Sequence, residues 1–469
     1  MRHFRASFVA SLFTFAALAS CAPPAPPTPD AAGHAPGAVP PGPIHHVILV
    51  TVDGLLPDAY EHPEAHGLQV PTLRWLVAHG ASSDGALSVF PSVTYPSHTS
   101  MTTGVFPGEH GITGNRTFDP LEDDLEGWRW YAEDIKRDPI WRIAERAGYH
   151  VGLVHWPVSV GARVTWLVPE YWRAKNDNDR KLLRALATPG LLESVAAEHP
   201  DFWSRYAPPD VKDDALTDIA LHVLATGKPN LLQLHLVQVD GAQHHFGVWS
   251  PEAIAAIEND DHQLGRILQA LDADGLARDT SVIVASDHGF MNVTKMVRPG
   301  VLLREAGLVT LNAAGHVASW KATMVVNSGQ AYVYVHDPAD EATRAAVRAI
   351  FAAKVADPQS GIGRVYETAE IKAIGGDPEA LLALEATPSC QMGPGYSGDY
   401  VAPGIYRATH GYDPRRPEMH ASLVLYGPNV PHGTLQGARL VDIAPTIAEW
   451  LGLSMPNVDG RPLLPVVAR

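Results

Sequence analysis

Cysteine is nearly missing from this 469-residue chain, which holds only Cys21 and Cys390. Two thiols cannot build a disulfide framework or a thiolate-rich cluster, so metal binding would rely on carboxylates and imidazoles. Basic residues are scarce as well: 35 Lys and Arg stand against 51 Asp and Glu, a formal charge of −16. That balance excludes a general nucleic-acid-binding surface. It leaves a small phosphate-bearing substrate open, because bound divalent cations reverse the field locally. No internal repeat is visible, and 46% hydrophobic with 18% charged residues excludes wholesale disorder. The length is that of two or three domains.

The chain opens on a targeting segment. Arg2 and Arg5 lead into the apolar stretch Phe8–Leu18, which is too short to span a bilayer. Leu18-Ala19-Ser20-Cys21 resembles a bacterial lipoprotein signal. The resemblance implies removal of residues 1–20, diacylation of Cys21 and a place in the cell envelope, at the outer membrane since no aspartate follows Cys21. The Pro/Ala-rich stretch that follows, up to residue 44, has the composition of a tether and cannot support a core. Cys390 reads as a small buried residue.

Three hydrophobic runs each close on an aspartate: His46–Val52 on Asp53, Leu231–Val239 on Asp240, and Ser281–Ser286 on Asp287. Short leucine- and β-branched runs without alternation fit strands of a sheet covered on both faces. In open α/β sheets the ligand site lies beyond the carboxyl ends of the strands, so the three carboxylates should converge there. His244 and His288 follow Asp240 and Asp287 closely. Converging acids repel one another, and bound cations are the usual remedy.

The remaining punctuation gives an α/β organisation. Helices are expected over 70–80, 139–148, 213–226, 251–276 and 441–451, and strands over 149–155 and 420–426. Phe90–Gly104 reads as a loop entering a short helix, with Thr94 just before it, where backbone N–H groups favour an anion. Residues 161–206 lack a clean period and read as an insertion over the site. Residues 301–399 read as a small α+β subdomain, with Ala322–Val335 as one alternating strand, inserted in a main domain of 45–300 and 400–469.

Asp53, Thr94, Asp287 and His288 form one candidate metal site, and Asp240, His244 and His410 another. Mixed oxygen and imidazole ligands suit zinc, and a paired-cation site can clamp a phosphoryl group. The segments TVDG (51–54), SVTYPSHTSMTTGVFPGEHGITGN (92–115), VDGAQHHFG (239–247), SDHGF (286–290) and ATHGYD (408–413) together resemble the nucleotide pyrophosphatase/phosphodiesterase family of the alkaline phosphatase superfamily. The resemblance runs over most of 45–300 and 400–465. It implies an alkaline-phosphatase-like fold, a central and mostly parallel sheet flanked by helices. It also implies Thr94 as nucleophile, two Zn2+ on the two ligand sets just named, and Asn115 donating to a phosphoryl oxygen. Tyr95 is implied as an aromatic that stacks on a nucleobase. Tyr171, inside VPEYW, is read as the opposite face, the alternative being that Tyr171 and Trp172 pack the insertion.

The expected activity is hydrolysis of a phosphodiester or nucleotide through a phospho-threonine intermediate. A phosphate monoesterase on the same scaffold is the alternative, with Arg116 or Lys175 as extra cations. A third reading is an envelope binding protein with structural zinc. A sulfatase is excluded by the lack of a Cys/Ser-x-Pro-x-Arg sequence. His98, His110, His155, His245 and His420 are read as supporting groups, and the Arg173–Lys181 cations as a solvated face.

Overall fold

The computed structural model describes residues 45–464 except 122, 124–126, 173–175, 208, 209 and 429. The signal-like segment, Cys21, the tether, Arg173 and Lys175 lie outside the described residues. Among those described, eight strands form a central sheet in the order Gly433–Thr434, Ala81–Ser82, Leu423–Tyr426, Thr280–Ala285, His46–Val52, Leu231–Leu236, Val151–Trp156, Trp166–Pro169. The last five are mutually parallel, and Leu423–Tyr426 is antiparallel to Thr280–Ala285. This is the mostly parallel α/β sheet expected, and its middle strands are buried apart from the half-buried His46.

Register decides where chemistry can collect. Thr51 pairs with both His235 and Ala285, so the three central strands end at one level and release their following residues on the same side. Helix Asp213–Gly227 covers this sheet with Leu216, Ile219, Ala220, Val223 and Leu224, all at most 2% exposed. Each large aliphatic so buried contributes about 1.5–3 kcal/mol relative to exposure.

The structure corrects several sequence expectations. The strand read as Leu231–Val239 stops at Leu236, and Gln238–Phe246 is a helix with Asp240 in its first turn. The cause is tertiary: the Asp213 carboxylate accepts from Val237 N and Gln238 N, both at 2.8 Å, and so caps that helix from a neighbouring element. Ala322–Val335 is a hairpin of Ala322–Asn327 and Gln330–Val335, turned at Ser328 with φ 60°. Its residues are largely buried rather than forming an exposed face. The 161–206 stretch supplies the edge strand Trp166–Pro169 and helices Asp177–Leu186, Leu191–Glu198 and Phe202–Arg205, so it is more than a cover.

The hairpin continues into a four-stranded antiparallel sheet with Leu382–Ala386 and Ile362–Glu367. A third sheet pairs Met291–Val297 with Ser389–Met392, Val401–Pro403 and Ala408–Thr409. It crosses the boundaries drawn at 300 and 400. No helix among the described residues is long and apolar enough to cross a membrane.

Candidate active site

Six of the candidate ligands chosen from the sequence meet beyond the strand ends. Asp53 follows the central strand, and its neighbour Gly54 adopts φ 68° where a Cβ would lie 2.6 Å from the Phe290 ring, so the turn admits only glycine. Asp240 and His244, four residues apart on the new helix, share a face. His410 is delivered by strand pairing, Thr409 opposite Met291, which lays its ring 3.6 Å from His288 with planes 6° apart. Asp240, His244 and His410 offer ligand atoms within 4.8 Å of one another, and so do Asp53, Asp240 and His288.

The imidazole tautomers show what the cluster is built to hold. Each Nδ1 meets a backbone carbonyl, which can only accept: His244 on Ala408 at 2.9 Å, His288 on Gly289 at 3.1 Å and His410 on Ser92 at 3.0 Å. The proton therefore sits on Nδ1, and each Nε2 presents a lone pair. Those lone pairs face carboxylate oxygens. His288 Nε2 is 3.1 Å from Asp287 Oδ2 and 3.4 Å from Asp53 Oδ1, while His244 and His410 lie 3.4 and 3.6 Å from Asp240 Oδ1.

Lone pair against lone pair is repulsive unless a cation lies between. Asp53 Oδ1, Asp240 Oδ1, Asp287 Oδ2 and His288 Nε2 are buried without a hydrogen-bond partner among the described residues. Buried polar atoms are otherwise paired almost without exception. The donor set thus fits metal ions held by oxygen and imidazole.

The electrostatics agree. Burial raises the Asp53 carboxyl well above its ordinary range, and repulsion from Asp287 and Asp240 adds to this. Burial, followed by the Asp287 charge, likewise raises Asp240 against the pull of His244. Burial drives His288 and His410 down, keeping both imidazoles neutral. All four shifts are those of a ligand cluster without its counter-charge.

Sequence reasoning missed the support behind Asp53. His235 lies inside the strand Leu231–Leu236, with Nε2 3.2 Å from Asp53 Oδ2 and Nδ1 2.9 Å from Glu170 Oε2. With a carboxylate at each nitrogen, both must donate. Burial favours a neutral ring, yet the bonds to Asp53 and Glu170 outweigh it and hold the His235 pKa well above its ordinary value. Glu170 is 1% exposed and also accepts from Tyr95 Oη at 2.9 Å and Trp172 Nε1 at 2.5 Å. The only sequence signal was a histidine in a mostly apolar run that also holds Gln233. Removing the bond by His235→Leu should weaken metal affinity by about 10–100-fold, the usual cost of a ligand-orienting partner. His235→Gln, which can still donate toward Asp53, should recover part of it; chelator competition reads both.

Thr94 is the first residue of helix Thr94–Thr103 rather than the residue before it. All ten helix residues are buried although seven are Ser, Thr or His. Hydroxyls of Thr99, Thr102 and Thr103 bond back to carbonyls three or four residues earlier, so no polar atom of theirs is stranded. His98 ties the first turn to the central strand through Thr94 O and Thr51 Oγ1, both at 2.9 Å. Asn115 Oδ1 accepts from Tyr95 N at 2.9 Å, which anchors its side chain to the first turn of the Thr94 helix.

A cleft of about 820 Å³ opens over Asp53, Thr94 and Asp240, with Trp128 and Trp172 on one wall and Phe246 and Asn259 among its other lining residues. The two expected stacking residues are elsewhere. Tyr95 is 0% exposed, its ring edge-on to Trp128 and its hydroxyl bound to Glu170, so no face is free to stack. Tyr171 is 7% exposed and packs on Trp130 at 4.9 Å. Both rings belong to the wall's backing: Glu170 draws the Tyr95 hydroxyl inward, and Tyr171 packs behind on Trp130.

The profile of the type I phosphodiesterase / nucleotide pyrophosphatase family matches residues 47–376. Ectonucleotide pyrophosphatase/phosphodiesterase family member 1 of Rattus norvegicus is 25% identical over 250 residues, covering 52% of this chain and 24% of the relative. Member 5 of Homo sapiens is 26% identical over 249 residues, covering 52% and 44%. The chain therefore spans less than half the length of these curated relatives. Among solved structures, human ectonucleotide pyrophosphatase/phosphodiesterase 5 superposes with TM-score 0.63 at 19% identity, over 88% of this chain and 97% of that one. An inactive threonine-to-alanine variant of the murine protein in complex with AMP gives 0.60 at 21% identity, over 89% and 97%. These likenesses show a shared fold. With the family profile spanning well over half the sequence, the chain belongs to the type I phosphodiesterase / nucleotide pyrophosphatase family.

Proposed function

We propose that this protein is a two-zinc phosphodiesterase that opens phosphodiester or pyrophosphate bonds of a small nucleotide-like substrate through a phospho-threonine intermediate. One observation carries the reading: neutral imidazole lone pairs and unpaired carboxylate oxygens face one another beside a threonine at a helix N-terminus. Asp53, Thr94, Asp287 and His288 would hold one ion, and Asp240, His244 and His410 the other. Bound zinc supplies positive charge that lowers the pKa of a coordinated hydroxyl and stabilises phosphoryl oxygens.

The chain's own groups do the rest. Thr94 Oγ1 attacks phosphorus, the bond to the leaving oxygen breaks, and an alcohol or nucleotide departs. Water then attacks the phospho-threonine, restoring the hydroxyl and releasing the second product. Throughout, the Asn115 amide nitrogen donates to a phosphoryl oxygen. Trp128 and Trp172, in place of Tyr95 and Tyr171, present the planar surfaces for a base, where stacking contributes about 1–3 kcal/mol. The AMP held by the murine neighbour is in keeping with such a ligand. Lipid anchorage through Cys21 in a bacterial envelope belongs to this reading and rests on the sequence of the first 21 residues alone.

The cleft favours a diester over a monoester. Among its described lining residues Lys212 is the single Lys or Arg, against Asp53, Glu170, Asp214, Asp240 and Glu252. A dianionic monoester would meet repulsion without added cations. Arg116, the alternative donor, lies over the Trp128 ring at 5.7 Å. The test is a substrate panel with metal analysis on the same preparation. Bis(p-nitrophenyl) phosphate should exceed p-nitrophenyl phosphate in kcat/KM by at least about tenfold, or ~1.4 kcal/mol of transition-state stabilisation. A dinucleotide should exceed a glycerophosphodiester. Preference for the monoester would replace this reading with the monoesterase one.

A further inference from the structure

We infer that Asp377, in the loop that leads into the accessory antiparallel sheet and outside the metal cluster, is a positioning residue that holds the Thr113–Asn115 loop in its working place. The inference rests on the role read for Asn115 above. Residues 112–115 have no helix or strand of their own. A loop that must present one amide nitrogen to a phosphoryl oxygen needs external bonds, since a displacement of about 1 Å can cost a hundredfold in rate.

Asp377 supplies such bonds from 264 positions away. Its Oδ2 accepts from Thr113 Oγ1 at 2.9 Å and from Tyr334 Oη at 2.8 Å, and Oδ1 accepts from Glu379 N at 2.9 Å. Its backbone N–H donates to Tyr332 Oη at 3.2 Å, and that hydroxyl donates to Phe90 O at 3.3 Å, in the segment leading to Thr94. Asp377 is 8% exposed. One buried acid thus links the Asn115 loop and, through Tyr332, the approach to the nucleophile.

The same sheet grips the metal loop independently. Gly329 N donates to His410 O at 2.7 Å. Gly411 sits at φ 90° with Asn327 O only 2.2 Å from where a Cβ would stand, an approach glycine alone permits. Glu385 accepts from Asp413 N at 3.2 Å, and the Tyr366 hydroxyl lies between the Glu385 and Asp413 carboxylates, at 2.9 and 2.7 Å, where its proton can serve either. The accessory sheet therefore acts as a template. It fixes the Asn115 and His410 loops relative to each other, and the Thr113–Asp377 bond is its contact on the substrate side.

A double-mutant cycle on the full chain, loaded with zinc and assayed with bis(p-nitrophenyl) phosphate, tests the proposal. Thr113→Val is near-isosteric and leaves Asp377 its bonds to Tyr334 and Glu379. It should lower kcat by about tenfold, the size expected for one hydrogen bond to a charged group, with KM changed less than about twofold. Thr113→Ser, which keeps the hydroxyl, should restore turnover. In an Asn115→Ala background Thr113→Val should cost less than about twofold more, because the group it positions is gone. Equal losses in both backgrounds would mean a general structural role and overturn the inference, as would no loss from Thr113→Val alone. If Asn115→Ala itself leaves kcat unchanged while Thr94→Ala abolishes it, the role given to Asn115 fails, a result distinct from failure of the Asp377 positioning role.

Discussion

Thr94→Ala should lower diesterase turnover by at least about 10⁴-fold, the scale at which nucleophile removal acts when a preorganised site remains. Metal content should stay near that of the unaltered protein, because Asp53, Asp287 and His288 still offer three ligands around the same point. The fold should be undisturbed: Thr94 Oγ1 makes no hydrogen bond among the described residues that the helix needs, and His98 bonds to the backbone carbonyl of Thr94, which alanine keeps. Steady-state kinetics and elemental analysis on one preparation measure both effects. Acid quench of the unaltered enzyme during turnover should trap phosphate on the peptide containing Thr94. Residual activity above about one per cent in the alanine variant would end the covalent mechanism.

Asp240→Asn should have the second largest effect, and its stability signature is opposite in sign to its functional one. Asp240 belongs to both candidate ligand groups, and its Oδ1 faces His244 and His410 together. A neutral amide lacks the carboxylate's charge and is a poor ligand for zinc, so metal at this site should be lost and turnover should fall by about 10³-fold or more. In the metal-free state, however, the substitution removes one of three converging buried acids. Burial and mutual repulsion raise both Asp53 and Asp240, so relieving that repulsion should stabilise the metal-free chain. The metal-free variant should melt above the metal-free parent by about 2 °C for each ~1 kcal/mol relieved. Zinc should then raise the parent's Tm far more than the variant's, by linkage. Calorimetry with and without chelator decides the matter; a metal-free variant less stable than its parent would contradict the repulsion argument.

Much of the site was legible because its signals are local. Asp53, Asp287 and His288 each follow a short apolar run, and parallel strands in a buried sheet advertise themselves by composition without alternation. Asp240 and His244 could be chosen from spacing, though the helix carrying them could not. Its start depends on Asp213, which lies 24 positions upstream of the first N–H it caps. Thr94 and Asn115 were reached through motif resemblance, and the structure places the Asn115 carbonyl oxygen on Tyr95 N. Tyr95 and Tyr171 misled because ring exposure is set by what packs behind a ring. Glu170, a residue with no motif around it, turns Tyr95 inward and holds Trp172 toward the cleft.

The sequence by itself determined the sheet's class, the strand ends that release Asp53 and Asp287, and the shortage of thiols and basic groups. These follow from periodicity, composition and turn chemistry, all of which act between near neighbours. Only the tertiary structure decided which nitrogen of each histidine is free, which aromatics face the cleft, and that His235, Glu170 and Asp377 support the site. Those outcomes depend on pairings such as Thr409 with Met291 and Thr113 with Asp377. Contacts across more than a hundred positions leave no periodic trace in the chain, because either partner alone is an ordinary polar residue until folding buries both.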